Sequence, residues 1–271
     1  MGTTTLPDAK VVADLIRTIA KVEVLPRFRQ LARHEVREKS PGDFVTVADE
    51  AMEAALAPKL AALMPGSLLV GEEDSARDIT VMERLASRQP VWVIDPVDGT
   101  ANFAQGREDF AVMLALVEHD AVLAGWIYEP VTDRMSYAVR GGGAFLDGRP
   151  LARPATENSY RGVLAVGSKG DPALAPRVQK RRDRVHPVKS VRCAGVEYMR
   201  LALGELDFLM FSGTMPWDHA PGAAIIQELG GYLSYIDGKG YRPSGALKAG
   251  GILAARDRAT WDEVHKRLLA D

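Results

Sequence analysis

Val11, Val12, Leu15, Ile16, Ile19 and Val22 recur every three or four residues, which predicts an amphipathic helix near the start of the chain. A loop follows around Ser40-Pro41-Gly42-Asp43. Met52, Ala55, Leu56, Leu60 and Leu63 then predict a second helix, ended by Pro65-Gly66. The next apolar runs have strand length: Ser67 to Val70, Val91 to Ile94, Phe110 to Val117 and Ala121 to Tyr128. Glu118-His119-Asp120 reads as a hairpin turn between the last two, so they pair antiparallel. Met135 to Val139 extends this meander, and Gly141-Gly142-Gly143 breaks it. The second half alternates strands (Gly162 to Val166, Leu206 to Phe211, Tyr232 to Ile236, Gly251 to Ala254) with helices at about 195–204, 218–229 and 258–270. The pattern is that of an α/β (α+β) chain. Its glycine break divides residues 1–142, an α+β portion, from 143–271, an alternating α/β portion.

Composition narrows the function more than the fold. The 271 residues carry 34 Lys and Arg against 36 Asp and Glu, a formal charge of -2. A binder of nucleic-acid polymers would show a basic excess, and this chain has none. A single cysteine, Cys193, cannot form an intrachain disulfide, which fits a reducing compartment. Met1 to Lys10 is polar, and the longest apolar run, Phe110 to Val117, is far shorter than a bilayer span. The expectation is a cytoplasmic protein with no membrane partner. Lys180-Arg181-Arg182 with Arg184 is a local basic run, read as a solvated face.

Three acidic segments stand where a strand ends or a helix begins. Gly71-Glu72-Glu73-Asp74 follows strand 67–70. Asp95-Pro96-Val97-Asp98-Gly99-Thr100 follows strand 91–94. Trp217-Asp218-His219-Ala220 opens a helix. In the second, the strand delivers Asp95, Pro96 stops the ladder, and the turn at Gly99 lets Asp98 converge with Asp95. Two converging carboxylates repel unless a cation lies between them. Mg²⁺ takes few carboxylates and a substrate phosphate, and free N–H groups after Gly99 attract an anion. The segment therefore predicts a divalent-metal site beside a phosphate cradle. His219 is expected to face away from it, and His34, His119, His186 and His265 lack the spacing of a zinc site.

Taken together, these segments resemble the inositol monophosphatase family of lithium-sensitive, magnesium-dependent phosphatases. Trp92-Val93-Ile94-Asp95-Pro96-Val97-Asp98-Gly99-Thr100-Ala101-Asn102-Phe103 looks like its first signature. Trp217-Asp218-His219-Ala220-Pro221-Gly222-Ala223-Ala224-Ile225-Ile226, ending in Glu228-Leu229-Gly230-Gly231, looks like its second. Gly71-Glu72-Glu73 and Lys39-Ser40 with Phe44-Val45-Thr46-Val47-Ala48-Asp49 match in order and spacing.

The resemblance implies a layered αβαβα sandwich of the inositol monophosphatase/fructose-1,6-bisphosphatase type, with an antiparallel N-terminal sheet and a mixed C-terminal sheet. It implies two or three Mg²⁺ ions. Glu72, Asp95 and the Val97 carbonyl would hold the first, and Asp95, Asp98 and Asp218 the second. Glu72, with Asp49, would hold a third. Gly99 and Thr100 would contact phosphate, and a water oriented by Glu72 and Thr100 would attack phosphorus in line. The implied protein is a homodimeric phosphomonoesterase acting on a small phosphorylated metabolite, an inositol phosphate or a related sugar or polyol phosphate. A metal-binding protein without turnover is the alternative of a different class. The presence of every acid the chemistry needs argues against it.

The chain departs from the pattern around the substrate. Inositol-hydrolysing members carry a glutamate six residues before the signature tryptophan, and here that residue is Phe211. A Gly-Thr-Ala-like turn is replaced by Arg192-Cys193-Ala194, which is expected to face the substrate. Arg192 can grip a second phosphate or a carboxylate bidentately. These departures point away from simple inositol phosphate, toward another sugar phosphate, a 3′-phosphonucleotide or other bisphosphate, or histidinol phosphate.

Overall fold

The stripe on the first segment becomes α1 (Ala9–Glu23), which buries Val12, Ala13, Ile16, Ile19 and Ala20. Val11 and Val22 lie on its other side and are about half exposed, at 49% and 61%. The computed structural model describes residues 6–155, 159–167, 171–248 and 250–270. After α1 come a hairpin of β1 (Val36–Ser40) and β2 (Asp43–Thr46), α2 (Val47–Leu63), β3 (Leu68–Gly71), α3 (Glu72–Arg77), β4 (Val91–Asp98) and α4 (Thr100–Ala104). β5 (Ala111–Glu118), β6 (Ala121–Glu129), β7 (Arg134–Val139), β8 (Gly143–Leu146) and β9 (Arg149–Pro150) follow. The remainder is β10 (Arg161–Ala165), α5 (Leu174–Gln179), β11 (His186–Val188), α6 (Ala194–Ala202), β12 (Phe208–Phe211), α7 (Pro216–Glu228), β13 (Tyr232–Tyr235), β14 (Ile252–Ala255) and α8 (Arg258–Leu269).

One sheet has seven strands in the order β3-β4-β5-β6-β7-β8-β9, and the other has five in the order β11-β10-β12-β14-β13. The large sheet is antiparallel except for β3 and β4, which run parallel because the connection through α3 crosses over. The small sheet is mixed: β10 is parallel to β11 and β12, and β14 is antiparallel to β12 and β13. α1 and α2 pack on one face of the large sheet against Trp92, Ile94, Leu114 and Trp126. α6 and α7 fill the space between the sheets. α8 and α5 cover the far face of the small sheet around Phe208, Leu253 and Trp261. The order is α-β-α-β-α.

Three local readings are refined. His119 and Asp120 form a two-residue hairpin loop, both at positive φ (50° and 58°), as a type I′ turn requires. Gly141-Gly142-Gly143 is a turn within the large sheet rather than its end. β8 pairs with β7 directly after it, and the sheet runs on to Pro150. The basic run is more than a solvated face. Arg177 and Arg181 donate to the carbonyls of Leu269 and Leu268, and Arg184 exchanges hydrogen bonds with Arg267, so these residues satisfy the open C-terminus of α8.

β4 carries the main correction. Pro96 does not stop the ladder. Asp95 stands opposite Met113 and Asp98 opposite Ala111, so three steps on β4 match two on β5. The extra residue is a β-bulge at Pro96-Val97, where a residue without an N–H costs no ladder bond. In a regular strand, residues three apart point to opposite faces. The bulge shifts the phase by one. Val97 therefore joins Trp92 and Ile94 in the core under α1 and α2, while Val91 and Val93 face the other way. Asp95 and Asp98 are left on one side.

Candidate active site

β4 and α7 bring three carboxylates together. Ligand atoms of Asp95, Asp98 and Asp218 all lie within 4.8 Å of one another. Asp218 sits in the first turn of α7, and the small residues of that helix set its place. Gly125 on β6 has no side chain because a Cβ there would meet the Pro221 carbonyl at 2.6 Å. α7 thus rests directly on the large sheet, with its N-terminus at the end of β4.

Asp95 is 1% exposed, and its Oδ1 is buried without a hydrogen-bond partner among the described residues. Burial pushes its carboxyl well above the ordinary range, and the charges of Glu72, Asp98, Asp218 and Asp49 push it further. A buried, unpaired carboxylate among like charges costs several kcal/mol unless it is neutralised. A divalent cation on this oxygen removes both penalties, so the residues present fit a hard cation with oxygen ligands.

The surrounding groups hold these acids in place. Asp98 Oδ2 accepts from the Gly195 N–H at 2.6 Å and from the Cys193 thiol at 3.0 Å. Cys193 is therefore buried behind Asp98, and burial and that carboxylate push its pKa well up. This is the opposite of a nucleophile. Neither Cys193 nor Ala194 lines the cleft. Phe211 does not line it either: its ring packs on Tyr198 and His219, with centroids 5.8 Å and 4.9 Å away. His219 faces the core, with Nδ1 3.0 Å from the Tyr198 hydroxyl and Nε2 3.0 Å from the Gly213 carbonyl oxygen. Burial lowers its pKa to about 4, so it stays neutral.

Asp49 closes a capping box on α2. Its Oδ2 accepts from the Thr46 N–H at 2.9 Å and the Thr46 hydroxyl at 2.6 Å. Its Oδ1 stands 3.1 Å from the Thr100 hydroxyl, which is also 2.9 Å from the Val97 carbonyl. Burial pushes Asp49 up to about 8 despite the Thr46 bonds, with Glu72 adding repulsion. Gly99 has φ +84°, and a Cβ there would meet the Asp109 carbonyl at 2.9 Å, so only glycine fits both the conformation and the space.

Glu72 begins α3 and lines the cleft, whereas Glu73 does not. Lys39 Nζ, on the β1–β2 hairpin, lies 2.9 Å from a carboxylate oxygen of each. Two residues escaped the sequence reading. Glu53 on α2 accepts from the N–H groups of Glu73 (3.1 Å) and Asp74 (2.9 Å), fixing the start of α3. Asn102 donates to the carbonyls of Asp109 (2.6 Å) and Val191 (2.8 Å), tying the two halves together. The only sequence signal for Glu53 was an acid on an apolar helix face. We expect Glu53→Ala to cost about 1–2 kcal/mol in urea unfolding and to weaken Mg²⁺ binding in calorimetry, because α3 loses its cap.

The acids and the phosphate turn open on one cleft of about 670 Å³, also lined by Lys39, Arg192, Thr214 and Leu247. Among the described residues, no helix is long and apolar enough to cross a membrane.

Comparison with known proteins agrees with this geometry. The profile of the Inositol monophosphatase family matches residues 7–271. The chain belongs to the inositol monophosphatase family. The inositol-1-monophosphatase of Mesorhizobium japonicum is 31% identical over 216 residues, covering 78% of this chain and 79% of that protein. Inositol monophosphatase 1 of Rattus norvegicus is 30% identical over 238 residues, 85% and 83% of the two chains. Among solved structures, a staphylococcal IMPase-I complexed with products superposes with a TM-score of 0.79 at 23% identity, over 97% of this chain and 95% of that one. An IMPase/NADP phosphatase complexed with Mg²⁺ and phosphate gives the same values. These likenesses place the chain in the family's α-β-α-β-α fold and among its hydrolytic phosphatases, acting on a small phosphorylated metabolite.

Proposed function

We propose that the protein is a Mg²⁺-dependent phosphomonoesterase whose metal centre is built from Asp95, Asp98, Asp218, Glu72 and the Val97 carbonyl. The observation that carries this reading is Asp95 Oδ1, buried without a partner among the described residues, within a cluster of three carboxylates. The Mg²⁺-bound relative supports the choice of ion. Bound Mg²⁺ supplies Lewis acidity, lowering the pKa of water and neutralising charge on the phosphoryl oxygens.

The chain does the positioning. Gly99 and Thr100 line the cleft beside the acids and give the phosphoryl group its place. The Thr100 hydroxyl holds one proton, which Asp49 Oδ1 and the Val97 carbonyl can each accept. Thr100 is thereby held in place to orient a water for in-line attack. Glu72 stands ready to exchange Lys39 for a third cation or for water. We propose two or three Mg²⁺ per site, inhibition by Li⁺ and a homodimer on the strength of the family resemblance, and a cytoplasmic location on the single cysteine and the lack of a long apolar run.

The substrate is a small phosphate ester, of the kind seen with relatives crystallised with D-inositol-1-phosphate or with 2′-AMP. Phe211, where inositol-hydrolysing members carry a glutamate, favours a substrate without that polyol grip: another sugar phosphate, a bisphosphate or histidinol phosphate. The test is phosphate release from a panel including D-inositol-1-phosphate, with and without Mg²⁺ and Li⁺. Turnover that persists in a chelator overturns the reading.

A further inference from the structure

Arg192 occupies the cleft with glycine-like backbone geometry and an unspent charge. Its φ is +62°, in the left-handed region that L side chains rarely adopt. The surrounding structure holds it there. Its N–H donates to Ser190 Oγ at 2.9 Å, and Ser190 Oγ donates to Glu197 at 2.7 Å. The adjacent Val191 N–H donates to the same Glu197 oxygen at 2.9 Å, and the Val191 carbonyl accepts from Asn102 at 2.8 Å. Among the described residues, buried Glu197 accepts side-chain hydrogen bonds from Ser190 and from this turn alone. The Arg192 carbonyl lies 3.5 Å from where a Cβ of Gly99 would stand, so the turn lies against the phosphate-binding loop. Strained, over-determined backbone of this kind concentrates where a side chain must be aimed.

Among the described residues, the cleft lining carries two cations, Lys39 and Arg192. Lys39 is engaged by Glu72 and Glu73. The exposed Arg192 guanidinium makes no hydrogen bond or ion pair among the described residues. A planar guanidinium beside a phosphoryl site matches a carboxylate or a second phosphate bidentately. We propose that Arg192 is a specificity-determining residue that binds a second oxyanion on the phosphomonoester substrate. This rests on the phosphatase reading above and adds the substrate's charge pattern to it.

The test uses matched pairs: glycerol 2-phosphate against 2-phosphoglycerate, which adds a carboxylate, and glucose 1-phosphate against glucose 1,6-bisphosphate, which adds a phosphate. The wild type is expected to prefer the second member of at least one pair by tenfold or more in kcat/KM, and the responding pair tells carboxylate from phosphate. Arg192→Gly keeps the positive φ without strain, and should lower that ratio tenfold or more through KM, with a melting temperature at or above wild type. Arg192→Lys should restore part of the ratio. A wild type without preference, an unchanged ratio in Arg192→Gly, or a ratio lost together with a fall in melting temperature overturns the proposal. Mg²⁺-dependent release without preference overturns only the role of Arg192. Absence of Mg²⁺-dependent release from every ester overturns the phosphatase reading itself.

Discussion

Asp95→Asn is expected to abolish turnover by a factor of about 10³ or more while making the metal-free protein more stable. Both effects follow from one atom. Among the described residues, Asp95 Oδ1 is buried without a partner, and its carboxyl faces the charges of Glu72, Asp98, Asp218 and Asp49. Removing its charge relieves that repulsion when no cation is present. The same change removes the ligand that the proposed mechanism shares between two ions, and with it the Lewis-acid chemistry, worth several kcal/mol in the transition state. Thermal melts separate the two. A ligand at 100 times its Kd stabilises the folded state by about 2.7 kcal/mol. For a chain of this size that is a rise of roughly 5–10 °C. Wild type should show such a rise with saturating Mg²⁺, and Asp95→Asn should start higher and rise less. An equal Mg²⁺-induced shift in both proteins would sink the metal assignment.

The second large effect lies in the helix layer. Gly222→Ala should destabilise the protein by about 2 kcal/mol or more, although alanine is the better helix former by about 1 kcal/mol. A Cβ on Gly222 would stand 2.3 Å from the Tyr198 ring. Tyr198 cannot retreat, because it is fully buried, stacked on Phe211 and hydrogen-bonded to His219. α6 and α7 must therefore move apart, and the overpacking penalty exceeds the propensity gain. The midpoint of urea unfolding measures the loss. Because Asp218 rides on the first turn of α7, Mg²⁺ affinity should fall as well. A variant that is destabilised yet binds Mg²⁺ normally would show that α7 is not what places Asp218.

Local periodicity made most elements readable in advance. α1, α2 and α8 bury stripes that 3.6-residue spacing reveals, α7 is buried nearly all round, and the His119-Asp120 turn announces its own hairpin. The acids at strand and helix ends were legible because a carboxylate beside a buried run is locally costly. What escaped depends on contacts distant in sequence. The Cys193 thiol reaches Asp98 across 95 residues, and Asn102 reaches Val191 across 89. Nothing local distinguishes a cysteine facing substrate from one supporting a ligand. Phe211 likewise turns into the core because Tyr198 and His219 offer it aromatic faces. The segment after Ile94 was misread for another reason. Proline marks a missing donor, but only the partner strand reveals whether the ladder ends there or steps over it.

The bulge at Pro96-Val97 also fixes how the strand tolerates changes of length. Substituting Val97 alters one side chain. Deleting it removes the bulge, so that two steps on β4 match two on β5 and Asp98 stands in regular register two places after Asp95, still on the same face. The Val97 carbonyl and the core contact of its side chain would be lost, and Gly99 would be drawn back along the strand, out of its alignment with the turn at Arg192. The metal centre is thus written as much in the count of residues between two aspartates as in the aspartates themselves. In sequences built on this strand, a spacer of two residues should persist even where the residues filling it vary.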